Sequence, residues 1–240
     1  MKLRKALRSA DALLLDLCWP AGLHCAACDA PSRGALLCAD CAEALAAQRL
    51  SGPLCPVCGH PLDEEGACDF CEEPLLFARA AWPHAGVARS LVHQLKLQGH
   101  ADAAVPLAAG MAESLRPALE GGSALLTYVS TPPARLRERP FDHAALLCRA
   151  VAEQLSLPWR QTLRRPDSAG LRHQLGLNRA DRLNNLRGTF ACPERLSGTV
   201  VLVDDVMTTG STARAACETL AAAGAEKIWV LTATQAQRKR

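Results

Sequence analysis

Aromatic side chains are scarce: one Tyr, four Phe and four Trp make up only 4% of the 240 residues. Proteins that grip single-stranded nucleic acid commonly stack bases on such rings, and this chain has little of that platform. Its core has to come from Ala, Leu and Val, because 49% of the residues are hydrophobic. Nowhere do eighteen uncharged apolar residues run together, so no membrane-spanning helix is expected. The opening MKLRKALRSADALLLDLCWPAGLHC is basic and then briefly apolar. Asp11 and Asp16 interrupt the apolar part and no A-x-A cleavage site follows, which argues against a secretory leader. The better expectation is an amphipathic helix over roughly 3–17 within an N-terminal segment 1–20, ended by Trp19-Pro20 and covering part of the protein's own core. A cytoplasmic location follows as an expectation.

A formal net charge of +3 is too small to imply a nucleic-acid partner by itself. Its distribution is uneven. Residues 1–78 hold six Lys/Arg against eleven Asp/Glu, whereas 129–187 hold eleven Arg against five Asp/Glu. The second region attracts anions, phosphates above all.

Twelve cysteines are present, and eight fall into four C-x-x-C pairs at 25/28, 38/41, 55/58 and 68/71. Cys25, Cys28, Cys38 and Cys41 repeat as Cys55, Cys58, Cys68 and Cys71 with a constant offset of thirty residues. That is an internal duplication. A disulfide framework would need an oxidising compartment, and a thioredoxin-like redox pair would be one C-x-x-C rather than four. Two structural zinc ions in four-thiolate sites fit better, because a C-x-x-C turn presents two sulfurs to one ion. Gly59, after Cys55-Pro56-Val57-Cys58, lets backbone amides turn toward the sulfurs. Saturated sites of this kind hold a small domain together and do no chemistry. Sequential sets agree with the duplication, and an interleaved arrangement is also open. Cys18, Cys148, Cys192 and Cys217 stand among apolar neighbours and read as small buried hydrophobes.

From residue 79 onward, helical and strand-like patterns alternate. Residues 85–117 read as helix, TYVST near 127 as a strand end, and 143–155 as helix. VVLVDD at 200–205 reads as strand, STARAACETLAAAGA as helix ending at Gly224, and KIWVLTAT as strand. Strand, helix, strand in that order implies an α/β fold with a parallel sheet and right-handed crossovers. Ligands of such sheets sit at the carboxyl ends of the strands, where Asp204 and Asp205 fall. Thr208, Thr209, Gly210, Ser211 and Thr212 follow, offering backbone N–H groups and hydroxyls at a helix N-terminus, a ready anion site. An ordinary helix cap would need one such residue.

VVLVDDVMTTGST resembles the phosphoribosyl pyrophosphate (PRPP) signature of type I phosphoribosyltransferases. The resemblance implies that Asp204 and Asp205 hold the ribose hydroxyls, and are the catalytic candidates. It also implies that the loop from Met207 through Thr208, Thr209, Gly210, Ser211 and Thr212 cradles the 5′-phosphate. The double cysteine repeat ahead of that signature is similar to the ComF-type competence proteins, a double zinc ribbon fused to a phosphoribosyltransferase domain. SLVHQLKLQGH (90–100) carries Lys96 and Gly99 of a lysine-glycine element. RHQLGLNRADRLNNLRGTF (172–190) carries Gln174, Leu177, Arg179, Arg182 and Asn185 on the family's pattern. Val129-Ser130-Thr131-Pro132 and Arg139-Pro140-Phe141-Asp142 stand where the family has Val-Pro-Val-Pro and Arg-Gly-Phe-Asn. Pro140 fixes φ and removes a donor, and Asp142 adds negative charge, so these departures bear on pyrophosphate more than on ribose phosphate. Thr131 and Arg135, with Arg137 and Arg139, crowd the expected pyrophosphate loop.

The expected organisation is therefore an N-terminal helix (1–20), a double zinc ribbon (21–78) and a phosphoribosyltransferase-like domain (79–240). The implied ligand is PRPP with Mg²⁺. What the resemblance implies further is a cytosolic role in handling single-stranded DNA during natural transformation, with DNA-uptake proteins as partners. Two other readings stand beside it: a transferase of nucleotide metabolism whose acceptor the sequence does not reveal, and a PRPP-sensing regulator.

Overall fold

A computed structural model of the chain describes residues 23–55 apart from 33, residues 57, 59, 62 and 66, residues 77–129 apart from 120, residues 131 and 136, and 141–165 and 189–236. The expected helix of residues 1–20, Cys18, Cys58, Cys68, Cys71, Arg135 and the arginine-rich 172–188 lie outside the described residues.

Among the described residues the elements run α1 (Ala39–Ala47), β1 (Phe77–Pro83), α2 (Gly86–His93), α3 (Ala104–Leu119), β2 (Leu125–Tyr128), α4 (His143–Leu155), β3 (Thr199–Met207), α5 (Ser211–Ala222) and β4 (Lys227–Gln235). The four strands form one parallel sheet in the order β1-β4-β3-β2. A parallel sheet is covered on both faces, so its strands read as continuous apolar runs. Val200, Val201, Leu202 and Val203 are indeed all fully buried. Alternation along the pleat divides them between two cores. Val201 and Val203, with Leu231 and Ala233 of β4, pack against Leu91 of α2, Leu107 and Met111 of α3 and Leu147 of α4. Val200 and Leu202, with Val230, pack against Ala213, Ala216 and Leu220 of α5.

The 85–117 segment, expected as one helix, is divided. Beyond α2 the chain makes a π-helical turn, Gln94–Gln98, closed by Gly99 at φ 72, then a 3₁₀ turn at Ala101–Ala103 before α3. Gly99 costs nothing in the left-handed region, where its N–H and that of His100 both reach the Gln94 carbonyl. A second difference is β1. The segment FARAAWP was not anticipated as a strand, yet it pairs parallel to β4 from Phe77↔Trp229 to Pro83↔Gln235. Its position spans the 78/79 boundary expected from the sequence.

The first cysteine repeat shares the larger core. Cys25, Ala26, Ala27, Cys41 and Leu45 are buried in the same cluster as Leu91, Leu107 and Leu147. Polar contacts reinforce this packing. Trp82 Nε1 donates to the Leu45 carbonyl at 2.8 Å, Leu50 N to the Ala81 carbonyl at 3.1 Å, and Arg49 pairs with Glu113 at 3.0 Å. In the second repeat, the Val57 carbonyl accepts from Ala78 N of β1 at 2.6 Å. A Cβ on Gly59 (φ 70) would lie 2.7 Å from the Ala78 carbonyl oxygen. Gly59 is needed here for close approach as well as for the turn.

Candidate functional site

The acidic pair sits inside the last part of β3 rather than beyond it, because the strand continues through Val206 and Met207. Two consecutive strand residues point to opposite faces. Asp204 shares the face of Val200 and Leu202, and Asp205 that of Val201 and Val203. Their environments differ accordingly.

Asp205 is almost fully buried and lies where α2, its π-helical extension and α4 meet the sheet. Lys96 Nζ is 2.7 Å from its Oδ2 and His143 Nε2 is 3.2 Å from the same oxygen. Burial alone would raise the Asp205 pKa; hydrogen bonding from His143 and the Lys96 charge override it and hold the carboxyl well below the usual carboxylate range. Among the described residues Asp204 has no ion-pair partner, although the Lys96 charge reaches it. Its Oδ1 accepts only from Asp205 N at 2.8 Å among the contacts seen here. Burial, then the neighbouring Asp205 charge, push its pKa up to about 7. Its register partner on β4 is Thr232, whose buried hydroxyl has no hydrogen-bond partner among the described residues.

Beyond β3, Thr208 and Thr209 are exposed and Gly210 adopts φ 74 as the residue preceding α5. A Cβ there would meet nothing within 4 Å, so backbone conformation, not crowding, requires glycine. The Thr209 hydroxyl lies 2.9 Å from that of Ser211 and accepts from Ser211 N at 3.5 Å. Ser211 and Thr212 open the twelve-residue α5. The turn thus leaves exposed hydroxyls and first-turn amides at the carboxyl edge of a central strand, an arrangement suited to an anion.

Thr131, after β2, is buried. Its hydroxyl donates to Asp142 Oδ1 at 3.0 Å and its N–H to Asp142 Oδ2 at 3.3 Å. Asp142 is also the N-cap of α4, accepting from Ala144 N at 3.1 Å. The acidic residue that departs from the ComF-type pattern therefore has two structural uses. Sequence reasoning missed His143, which lies 3.3 Å from the Thr131 hydroxyl through Nδ1. It also missed His84, whose Nδ1 is 2.8 Å from the Thr234 hydroxyl. The available signal for His143 was its place directly after a capping Asp, at the start of an amphipathic helix entering the expected site.

In the first cysteine set, the Sγ atoms of Cys25, Cys28, Cys38 and Cys41 all lie within 4.8 Å of one another. Cys28 Sγ and Cys38 Sγ are 3.8 Å apart. Tetrahedral zinc with bonds of about 2.3 Å separates its sulfurs by about 3.8 Å, so this donor set fits the ion. For Cys25, burial raises the pKa, but backbone N–H groups of Cys38, Ala27 and Cys28 outweigh it and bring the thiol down to about 6. A thiolate is the form a metal takes. The grouping is sequential for this set. Of the second set only Cys55 is described; it is buried, and its carbonyl accepts from Gly59 N at 2.9 Å. Burial pushes the Cys148 and Cys217 thiols up to about 12, as suits inert core residues.

A parallel sheet flanked by helices, with an acidic strand running into a glycine turn, is a phosphoribosyltransferase-like α/β fold, and the four-cysteine cluster ahead of it is consistent with a zinc ribbon. Residues 14–72 match the double zinc ribbon domain family and residues 185–240 match the phosphoribosyl transferase domain family. No curated protein matches the chain. Similar solved structures include the allosteric regulatory enzyme of purine biosynthesis, at 20% identity over 54% of this chain and 26% of that one, TM-score 0.35. Another is a glutamine PRPP amidotransferase from B. subtilis complexed with ADP and GMP, at 20% identity over 53% of this chain and 25% of that one, TM-score 0.34. A third is the orotate phosphoribosyltransferase from Aeropyrum pernix, at 21% identity over 61% of this chain and 76% of that one, TM-score 0.30. The chain spans about a quarter of the length of the first two. Among the described residues no helix is long and apolar enough to cross a membrane.

Proposed function

We propose that this protein binds PRPP with Mg²⁺ at the carboxyl edge of β3. The observation that carries this reading is the succession of Asp204, Asp205, the left-handed Gly210 turn and the α5 N-terminus on a central strand of a parallel sheet. In it, Asp204 and Asp205 face the ribose hydroxyls and Thr208 to Thr212 receive the 5′-phosphate. Thr131, Lys96 and Arg135 serve the pyrophosphate side, and Met207 leads into the PRPP-binding loop from the end of β3. If transfer occurs, the C1′–oxygen bond to pyrophosphate breaks and pyrophosphate leaves with the electron pair. An acceptor's lone pair then forms the new bond to C1′. The protein's part is to hold these groups in place while positive charge develops on the ribose. Isothermal titration with PRPP and Mg²⁺ tests binding, and a pyrophosphate-release assay with candidate acceptors tests transfer. No heat of binding at millimolar PRPP would refute the reading.

The cysteine repeat ahead of the signature supports a finer placement among the ComF-type competence proteins, as a double-zinc protein acting on incoming single-stranded DNA in the cytoplasm. The eleven arginines of 129–187 support contact with a phosphate backbone. Oligonucleotide affinity should then fall with salt by a log–log slope of about −0.7 per phosphate neutralised. Charge reversal at Arg135 and Arg137 should weaken it uniformly across sequences. A salt-independent signal, or none at low salt, leaves a transferase or PRPP sensor as the better reading.

A further inference from the structure

Buried threonine hydroxyls of this protein find partners. Thr162 Oγ1 donates to Thr127 Oγ1 at 2.8 Å, Thr131 Oγ1 donates to Asp142 Oδ1 at 3.0 Å, and Thr234 Oγ1 lies 2.8 Å from His84 Nδ1. Thr232, in the middle of β4, departs from that pattern. It is 1% exposed, its oxygen is closed to solvent, and among the described residues that oxygen has no hydrogen-bond partner. Buried polar groups are paired in the large majority of cases, and an unpaired one carries its full desolvation cost. A valine would fill the same shape without that cost, and Val230, Leu231 and Ala233 around it on the strand are apolar and buried. The sheet supplies a reason for the hydroxyl. Register partners on adjacent strands project to the same face, and Thr232 stands between Ala80 of β1 and Asp204 of β3. Ala80 has no polar side-chain atom, so Asp204 carries the polar group beside Thr232 in that row. Asp204 is also short of donors. Its Oδ1 accepts from Asp205 N, and burial followed by the Asp205 charge pushes its pKa up to about 7. A donor to the carboxylate would favour its ionised form.

We propose that Thr232 is a positioning residue of the PRPP site: its buried hydroxyl is the donor that holds the Asp204 carboxylate when the ribose hydroxyls engage it. This rests on the PRPP reading above. At 1% exposure Thr232 does not touch a ligand itself and acts through Asp204. A carboxylate has about four lone-pair sites on its two oxygens. One carboxylate therefore accommodates Asp205 N, the Thr232 hydroxyl and a ribose hydroxyl together. The unpaired hydroxyl weakens the fold, and the bond it makes on binding strengthens the complex, a division of stability and function common at ligand sites.

The test ranks three full-length chains, wild type, Thr232→Val and Thr232→Ser, by two measurements whose orders should cross. Without PRPP, thermal melts should place Thr232→Val level with the wild type or above it, because it removes an unpaired hydroxyl and keeps the shape. Thr232→Ser should melt below both for its missing methyl. Isothermal titration with PRPP and Mg²⁺ should reverse the two variants. Thr232→Val should bind about 10–150-fold more weakly than the wild type, the range for one hydrogen bond to a charged group. Thr232→Ser keeps the donor and should recover most of that loss. A Thr232→Val chain that melts well below the wild type, or does not fold, shows a hydroxyl already bonded in the fold and overturns the proposal. Wild-type affinity in Thr232→Val overturns it too. So does Thr232→Ser binding as weakly as Thr232→Val, since side-chain shape and not the donor would then be responsible. If Thr232→Ser does not fold, the affinity of Thr232→Val decides. No PRPP binding by the wild-type chain, with the melting order as expected, overturns the ligand and the role given to Thr232, while leaving the unpaired hydroxyl beside Asp204 in place.

Discussion

Adjacent, chemically identical carboxylates should respond to the same substitution with opposite signs. Asp204→Asn keeps the Oδ1 that accepts from Asp205 N and removes only the charge. Because the Asp204 pKa is raised to about 7 against an ordinary 3.8, the folded protein holds that proton more tightly than the unfolded chain. Stability therefore falls as pH rises from about 4 to about 7, and the penalty is complete above pH 7. At about 1.4 kcal/mol per pH unit the ceiling is about 4 kcal/mol. Partial solvent access and coupling to Asp205 reduce this to roughly 1–3 kcal/mol. Asp204→Asn should raise Tm at pH 8 by about 2–12 °C, using the 2–4 °C per kcal/mol of chains this size, and by much less at pH 5. Asp205 has the reverse sign. Its pKa is depressed, so its contribution is present above the ordinary carboxylate range and lost only as pH falls below it. Asp205→Asn removes the carboxylate that faces Lys96 and His143 and should destabilise by about 2–4 kcal/mol at pH 8. Scanning calorimetry of both variants at the two pH values is the assay. Shifts of the same sign at pH 8, or an Asp204→Asn gain equal at pH 5 and pH 8, would refute the reasoning.

Elemental analysis under reducing conditions should return two zinc ions per chain, and one or none would remove the second ribbon. Cys41→Ser should cost one zinc and lower the melting of the whole chain in a single transition, because Cys41 and Leu45 are buried in the same core as α2, α3 and α4. A retained, protease-resistant 85–235 fragment would contradict that. Gly59→Ala should destabilise more than Gly210→Ala. Both have positive φ, costing about 1–2 kcal/mol, but only Gly59 would press a Cβ to 2.7 Å from a backbone oxygen; denaturant midpoints would show the order. Lys96→Ala should weaken PRPP binding by about tenfold or more, and unchanged affinity in titration would exclude Lys96 from the site.

Some of this protein is written locally. The 143–155 pattern gives α4 at its observed bounds, VVLVDD and KIWVLTAT give two central strands, and the thirty-residue cysteine offset gives the duplication. Each signal involves residues a few positions apart, where the period of a helix, a strand or a C-x-x-C turn governs who is neighbour to whom. The turn at Gly210 is legible for the same reason. What the tertiary structure decided depends on distant partners. FARAAWP is a strand because β4 is beside it, and the helical 85–117 pattern breaks at Gly99 because α2 and α3 pack separately into the core. The cysteine repeat reads as a detachable module, yet its buried face belongs to the main core. Above all, the sequence shows two like carboxylates side by side. Only the packing of α2 and α4 brings Lys96 and His143 within ion-pair distance of Asp205, while among the described residues none comes that close to Asp204. Charge placement in a buried site is set by which elements meet there, and no local period encodes that meeting.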